Sequence, residues 1–322
     1  MAASPVRLQY LEVADLRLFR GSDVAELLDQ QSARWDKEFH WDFSPSRDLI
    51  QRYIDMRNLY GYALMKHGRP IGYSFYIQED RKALIGDLFI LSEHRSELAE
   101  RFLFQSIIKS AVMCPGVRRI EGQLLALSFN PEDEIIYGRG LQVFERHFMY
   151  WKDAAQPLDP RLTLPHLQYL QWSDHHLESA AHLIARAYSS HVDSRINDQY
   201  RSYSGARRFL YNTSQHPGCG LFFRRAALVA NYPGSGELGG VCLASLVKDD
   251  VGHITQLCVA PHLSGQGIGY ELLRRSIGTF RNHGCKGVSL TVTGVNQGAI
   301  SLYERIGFRT IRKFNAFVWE TS

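Results

Sequence analysis

The sequence predicts an α/β (α+β) protein made of two tandem copies of one fold, each a mixed central β-sheet flanked by helices. Three observations carry this expectation. Strand-like and helix-like segments alternate along the chain. Segments of the two halves echo each other at a near-constant spacing. A stretch with three prolines and no periodicity, "KDAAQPLDPRLTLP" from Lys152 to Pro165, separates them.

The echoes are specific. "LIGDLFIL" at Leu84–Leu91 reads like "DVGHITQLCV" at Asp250–Val259, and aligning Gly86 with Gly252 gives a spacing of 166 (252 − 86). Tyr137 of "YGRGL" and Tyr303 of "YERIGF" repeat that spacing, 166 (303 − 137). The strands "RHFMYW" and "KFNAFVW" end on Trp151 and Trp319, 168 apart (319 − 151). "LQYL" occurs at Leu8–Leu11 and again at Leu167–Leu170. The expected division is a first domain 1–152, a linker 153–165 and a second domain 166–322. A chain of 322 residues accommodates two ordinary domains.

In the second half each element has a local reason. "HLESAAHLIARAYSSH" has apolar residues at helical spacing. "ALVAN" and "GVCLASLV" read as strands joined by the turn "YPGSGELG". "HITQLCVA" is nearly continuously apolar, so it belongs in the middle of the sheet. "GQGIGYELLRRSIGTFRNHG" is a helix closed by Gly284. "GVSLTVTGV" alternates Val288, Leu290 and Val292 against Ser289, Thr291 and Thr293, the pattern of a half-buried strand. Asn296 caps a short helix that Gly307 ends, and "FRTIRKFNAFVWE" closes the chain as a strand.

Composition bounds the function. Hydrophobic residues make up 45% and charged residues 22%, ordinary values for a soluble globular protein. The net charge of +4 is well below that of a dedicated nucleic-acid binder and suits an anionic small ligand. The five cysteines lack metal-ligand or redox-pair spacing and read as reduced, largely core-packed thiols. The start "MAASPVRLQY" lacks a signal-peptide core, and no run is long and apolar enough to span a bilayer. The expectation is a cytoplasmic protein with no metal, no nucleic-acid partner and no membrane partner. The oligomeric state stays open.

"HLSGQGIGYELL" puts Gly265, Gly267 and Gly269 between a central strand and a helix. The first turn of a helix offers free N–H groups and the positive end of the dipole, and glycine lets an anion approach that backbone. The stretch is therefore a phosphate cradle. It is not a P-loop, because Tyr270 and Glu271 follow Gly269 where Lys-Ser/Thr is needed. It is not a dinucleotide fingerprint, because Tyr270 stands at the third glycine position.

"LCVAPHLSGQGIGYELL" resembles the acetyl-CoA-binding motif of the GNAT superfamily of N-acetyltransferases, and "NQGAISLYERIGF" resembles the motif that follows it. The layout is similar to that of tandem GNAT proteins of the mycothiol-synthase type. The resemblance implies an acetyl-CoA site made of Leu257, Cys258, Val259, Ser264, Gly265, Gln266, Gly267, Ile268, Gly269, Asn296, Ala299 and Tyr303. Backbone amides from Gln266 to Gly269 would hold the pyrophosphate, the Leu257–Val259 edge would pair with the pantetheine arm, and Asn296 and Tyr303 would lie by the thioester. Ser264 departs from the Gln or Arg usual in the family. The first copy aligns "LAERFL", Leu98–Leu103, with the glycine turn; Glu97 and Glu100 put negative charge there, so that copy is expected to be degenerate and structural. Tyr137 reads as a packed core tyrosine.

Acetyl transfer to an amine needs a neutral nucleophile, an oxyanion donor and a proton for the leaving thiolate. The expected acid is Tyr303 and the candidate base His253. The loop "SSHVDSRINDQY" offers His191, Asp193, Asn197 and Tyr200 to a small-molecule or peptide amine acceptor. "QYRSYSGARRFLYN" reads as a packed amphipathic helix rather than a nucleic-acid surface. Arg274 and Arg275 are within reach of a CoA phosphate. Three readings stay open here: an acetyl-CoA-dependent N-acetyltransferase, a non-catalytic acyl-CoA-binding or sensing protein, and a tRNA-dependent aminoacyl-transferase.

Overall fold

The computed structural model describes residues 11–152, 158–160, 167–216 and 218–321. Most of the linker, and Leu8–Tyr10 of the first "LQYL", lie outside these. The described residues fall into two compact units: one runs to Phe144 and takes in Phe314 onward, the other is Glu145–Lys313.

The first unit contains β1 (Leu11–Asp15), α1 (Ala25–Phe39), α2 (Ser44–Asp55), β2 (Tyr60–Lys66), β3 (Arg69–Glu79), β4 (Lys82–Ile90), α3 (Glu97–Met113), β5 (Arg119–Leu124) and the short pair β6 (Ile135–Ile136) and β7 (Arg139–Gly140). Strands β1 to β4 form an antiparallel meander, and β5 runs parallel to β4. Strand β8 (Gln142–Lys152) leads out of this unit.

The second unit repeats the plan with β9 (Gln168–Gln171), α4 (Leu177–Tyr188), α5 (Asp193–Ile196), α6 (Tyr203–Gln215), β10 (Leu221–Phe222), β11 (Leu228–Asn231), β12 (Leu238–Lys248), β13 (Val251–Val259), α7 (Ile268–His283), β14 (Gly287–Thr293), α8 (Gln297–Ile306) and β15 (Arg309–Glu320). Strand β13 lies between antiparallel β12 and parallel β14, the central place its apolar run predicts. Helix α7 lays Ile268, Leu272, Leu273, Ile277 and Phe280 against the core. Full burial of a side chain such as Phe280 contributes about 1.5–3 kcal/mol. Gly252 lies under that ring: a Cβ there would meet Phe280 Cε1 at 2.5 Å. Left-handed Gly284 and Gly307 end α7 and α8 as expected. Strand β14 departs from its pattern. Ser289 and Thr293 are buried along with the valines, because both faces of the strand are covered.

The last strand of each half lies in the other unit. Residues 146–152 of β8 pair antiparallel with β14, and Met149 and Trp151 join the second unit's core. The end of β15, Asn315–Glu320, pairs with β5, and Phe317 and Trp319 join the first unit's core. Arg119, itself buried, fixes this strand by donating to Glu320 Oε2 at 2.9 Å. The compact units thus differ from the expected halves at Glu145 and Phe314. The exchange is a choice of sheet neighbour, made by pairing far apart in sequence, and the strands' own composition reads the same either way.

The internal repeat is also shifted from the sequence alignment. A β-bulge falls on Gly86 in β4 and on Thr255 in β13, 169 apart (255 − 86) rather than 166. Tyr137 is not a core residue: it is 60% exposed in the β6–β7 turn, with φ of +49°. Among the described residues no helix is long and apolar enough to cross a membrane.

The exchange predicts where damage goes. Phe317→Ala, at a fully buried site, is expected to cost about 3–5 kcal/mol. Native-state hydrogen exchange should locate the loss in α3, β4 and β5. A loss centred on β12 and β13 would contradict the strand assignment.

Candidate active site

Strands β13 and β14 hold parallel register only from Val251 to Ile254, opposite Gly287 to Leu290. Beyond the bulge at Thr255 they part. Between Leu257–Val259 on one side and α8 on the other opens a cavity of about 520 Å³.

Its floor is the turn before α7. Gly265 and Gly267 adopt φ of +79° and +82°, which side-chain-bearing residues rarely do. A Cβ on Gly265 would meet nothing within 4 Å, so this backbone faces open space. Gly267 is the N-cap of α7, and among the described residues no side chain caps it. In the first unit Ser96 occupies the N-cap of α3, and its hydroxyl accepts from Ala99 N–H at 3.2 Å. The preceding short turns, Ser92–His94 and Pro261–Leu263, are 169 apart (261 − 92). The structural counterpart of Ser264-Gly265-Gln266-Gly267 is therefore Arg95-Ser96, not Leu98–Leu103. Two extra residues make the second unit's turn. Glu100 in the first unit is buried, and its carboxylate accepts from Arg95 Nε at 2.6 Å and Ser128 N–H at 2.9 Å.

Of the expected cofactor residues, Leu257, Cys258, Val259, Ser264, Gly265, Gly267, Ile268, Gly269, Asn296, Ala299 and Tyr303 line the cavity, whereas Gln266 does not. The Gln266 side chain is exposed and donates to His262 O at 3.3 Å. Asn296 Oδ1 accepts from Ala299 N–H at 3.2 Å, the cap read from the sequence. Its Nδ2 donates to His191 Nε2, also at 3.2 Å. Tyr303 is buried beside Phe308, and burial holds its phenol well above the usual tyrosine range. Burial likewise pushes the Cys258 thiol up to about 12.

The acceptor candidates divide. His191 lines the cavity. Asp193 stands behind it: Oδ1 accepts from Thr293 Oγ1 and lies 3.9 Å from Arg146 Nη1, while Oδ2 lies 3.7 Å from His191 Nδ1. Asn197 is used locally, accepting from Gln199 N–H at 3.0 Å. Tyr200 donates to Gln256 Oε1 at 3.1 Å, and Gln256 Nε2 donates to Tyr188 at 2.8 Å. The Tyr188 hydroxyl reaches Leu257 O at 3.5 Å. This relay steadies the exposed strand edge. Sequence reading missed Tyr188, Gln256 and Arg146. The first two are unremarkable helix and strand residues until the fold joins them, and Arg146 arrives on the exchanged strand.

His253 lies elsewhere. It is buried on β13, its Nδ1 2.9 Å from Ser289 Oγ and its ring stacked on Phe148, and it does not line the cavity. Arg274 and Arg275 are held by buried Glu271, both at 2.7 Å, rather than directed to the cavity.

Residues 179–308 match the model of the acetyltransferase (GNAT) family. The chain is 40% identical over 57 residues to the N-alpha-acetyltransferase MAK3 of Arabidopsis thaliana, covering 18% of this chain and 30% of that protein. It is 35% identical over 72 residues to N-alpha-acetyltransferase 30 of Schizosaccharomyces pombe, covering 20% of this chain and 48% of that one. The match therefore spans less than half of these relatives' length. Among solved structures, a GCN5-related N-acetyltransferase from Sphaerobacter thermophilus aligns over 98% of this chain and 97% of its own, with TM-score 0.65 and 17% identity. A tandem GNAT protein from the clavulanic acid biosynthesis pathway aligns over 96% and 98%, with TM-score 0.58 and 13% identity. The fold is that of these GNAT structures along nearly the whole chain, and the match to the GNAT acetyltransferase family model lies within the second unit.

Burial of His253 has a measurable consequence. Desolvation lowers its pKa to about 4, against about 6.5 in an unfolded chain. Above pH ~6.5 the ring is neutral in both states. As pH falls from there towards 4, only the unfolded chain takes up the proton, so stability falls. His253→Gln should remove on the order of 2–3 kcal/mol of acid-induced loss across that window, read from denaturant midpoints at pH 7 and pH 4.5. An unchanged pH dependence would mean that the ring is not buried in the neutral form.

Proposed function

We propose that the chain is an acetyl-CoA-dependent N-acetyltransferase that moves the acetyl group to a primary amine by direct attack, with Tyr303 as general acid. One observation carries this reading: a single cavity is bounded by an uncapped glycine-rich helix start, an unpaired strand edge and a buried phenol. Each matches one part of the cosubstrate.

The residues fit acetyl-CoA. A helix start without a side-chain cap, opening through a glycine backbone, suits a pyrophosphate. The free edge at Leu257–Val259 suits an extended arm carrying amides. Bound there, acetyl-CoA supplies an activated acyl group. This chain's part is to orient and exclude water, to offer a strand N–H to the developing oxyanion and to protonate sulfur. The amine nitrogen forms a C–N bond as the C–S bond breaks. Tyr303 gives its proton to the leaving sulfur and is restored by a proton from the acylated nitrogen.

The first unit is read as structural, with the Ser96 cap and the acidic start of α3 in place of the cradle. Acetyl-CoA should therefore bind at about one molecule per chain by calorimetry, and Gly267→Glu should abolish binding while leaving the melting profile cooperative. Two equivalent sites would overturn this reading.

Tyr303→Phe keeps the ring and its packing. Acetyl-CoA affinity should hardly change, whereas single-turnover thiol release should slow ~10²-fold. An unchanged single-turnover rate would rule out Tyr303 as the acid.

A further inference from the structure

We infer that His191 is the general base, taking the proton from the incoming ammonium at Nε2. This rests on reading the cavity as an acetyl-transfer site.

A base must reach the cavity and must carry a lone pair at neutral pH. Among the described residues that line the cavity there is no carboxylate, and His191 is the one imidazole. Buried Tyr303 and Cys258 and half-buried Tyr188 are all held in their protonated forms before the reaction, so none offers a base, and the Tyr270 hydroxyl donates to Asp159 O at 2.9 Å. Arg305 is a fixed cation. His253, the candidate from sequence, does not reach the cavity.

The ring is also oriented. Tyr188 from α4 packs edge-on against it, with centroids 5.1 Å apart. Nε2 lies 3.2 Å from Asn296 Nδ2, so in the Nδ1–H tautomer its lone pair faces the α8 wall that carries Tyr303, and the incoming ammonium takes the place of the Asn296 amide as its donor. The Nδ1–H tautomer turns a donor toward Asp193 Oδ2, 3.7 Å away. The Asp193 N–H also lies 3.2 Å from Nδ1, so protonation at Nδ1 exchanges that backbone contact for the carboxylate. Asp193 is itself held by Thr293 and Arg146. The charged and titratable groups around the ring are therefore Asp193 with Arg146 behind it, Tyr188, Cys258, Tyr303 and Arg305. The His191 side chain is 30% exposed, which leaves a path for its proton to solvent.

The proton count closes. An ammonium loses two protons on becoming an amide. His191 takes the first, before attack, and passes it to solvent. The second restores Tyr303 after that phenol has protonated sulfur. One proton is released per turnover.

The test uses the full chain and its His191→Gln variant, with acetyl-CoA and five acceptors: glucosamine, spermidine, lysine, glycine and a short peptide with a free N-terminus. Calorimetric acetyl-CoA binding and the melting temperature should match wild type. At pH 7, kcat/KM for the preferred acceptor should fall ~10²-fold. The variant's rate should keep climbing with pH and converge on wild type near the acceptor's own pKa, where no base is needed. A variant with the wild-type rate and pH profile would overturn the assignment while leaving acetyl transfer intact. Loss of acetyl-CoA binding would overturn it too, making His191 a cofactor contact. No thiol release by wild type with any of the five would overturn the acetyl-transfer reading and this inference with it.

Discussion

Strands β13 and β14 stay paired for four residue pairs, Val251 to Ile254, and then part. A parallel pair that separates exposes strand groups that need partners, and a fold tolerates this only where something else satisfies them. The bulge at Thr255 starts the separation, and α7 and α8 wall the gap. The relay from Tyr200 through Gln256 to Tyr188 steadies one edge. The glycine turn, the cavity and its residues follow from that opening.

The first unit shows the same geometry put to a different use. Strands β4 and β5 also pair for four residues, Lys82 to Ile85, with the bulge immediately after. The residue after the bulge is Asp87, where the second unit has Gln256. Asp87 is buried, accepts from Gln31 Nε2, and is pushed up to about 7 by desolvation. Tyr73 donates to Gln31 in turn. The N-terminus of α3 has a serine cap where α7 has a glycine. Two added residues and one lost cap separate a sealed turn from an open one.

Much of this was legible in the sequence because it is local. The Gly265–Gly269 turn, the Asn296 cap and the left-handed ends at Gly284 and Gly307 depend on residues within a turn of each other. The repeat was legible in outline but three residues out of register in the central strand, because a bulge adds a residue without changing the apolar pattern. The exchange of β8 and β15 was not legible, since Trp151 and Trp319 satisfy either sheet equally. His253 looked available because a histidine at a strand start usually is; covering both faces of the sheet removed it. Tyr137 matched Tyr303 in alignment but sits in an exposed turn. His191 was legible only as a loop residue near an acceptor, and its contact with Asn296 needs the fold.

The central claim is that an opened strand edge and an uncapped helix start in the second unit form the acetyl-CoA site. Hydrogen exchange of the full chain with and without acetyl-CoA tests it residue by residue. The account predicts added protection at Leu257–Val259 and at Gly265–Tyr270, with none at Arg95–Ala99. Protection appearing at Arg95–Ala99, or absent from both second-unit segments at saturating acetyl-CoA, would contradict it.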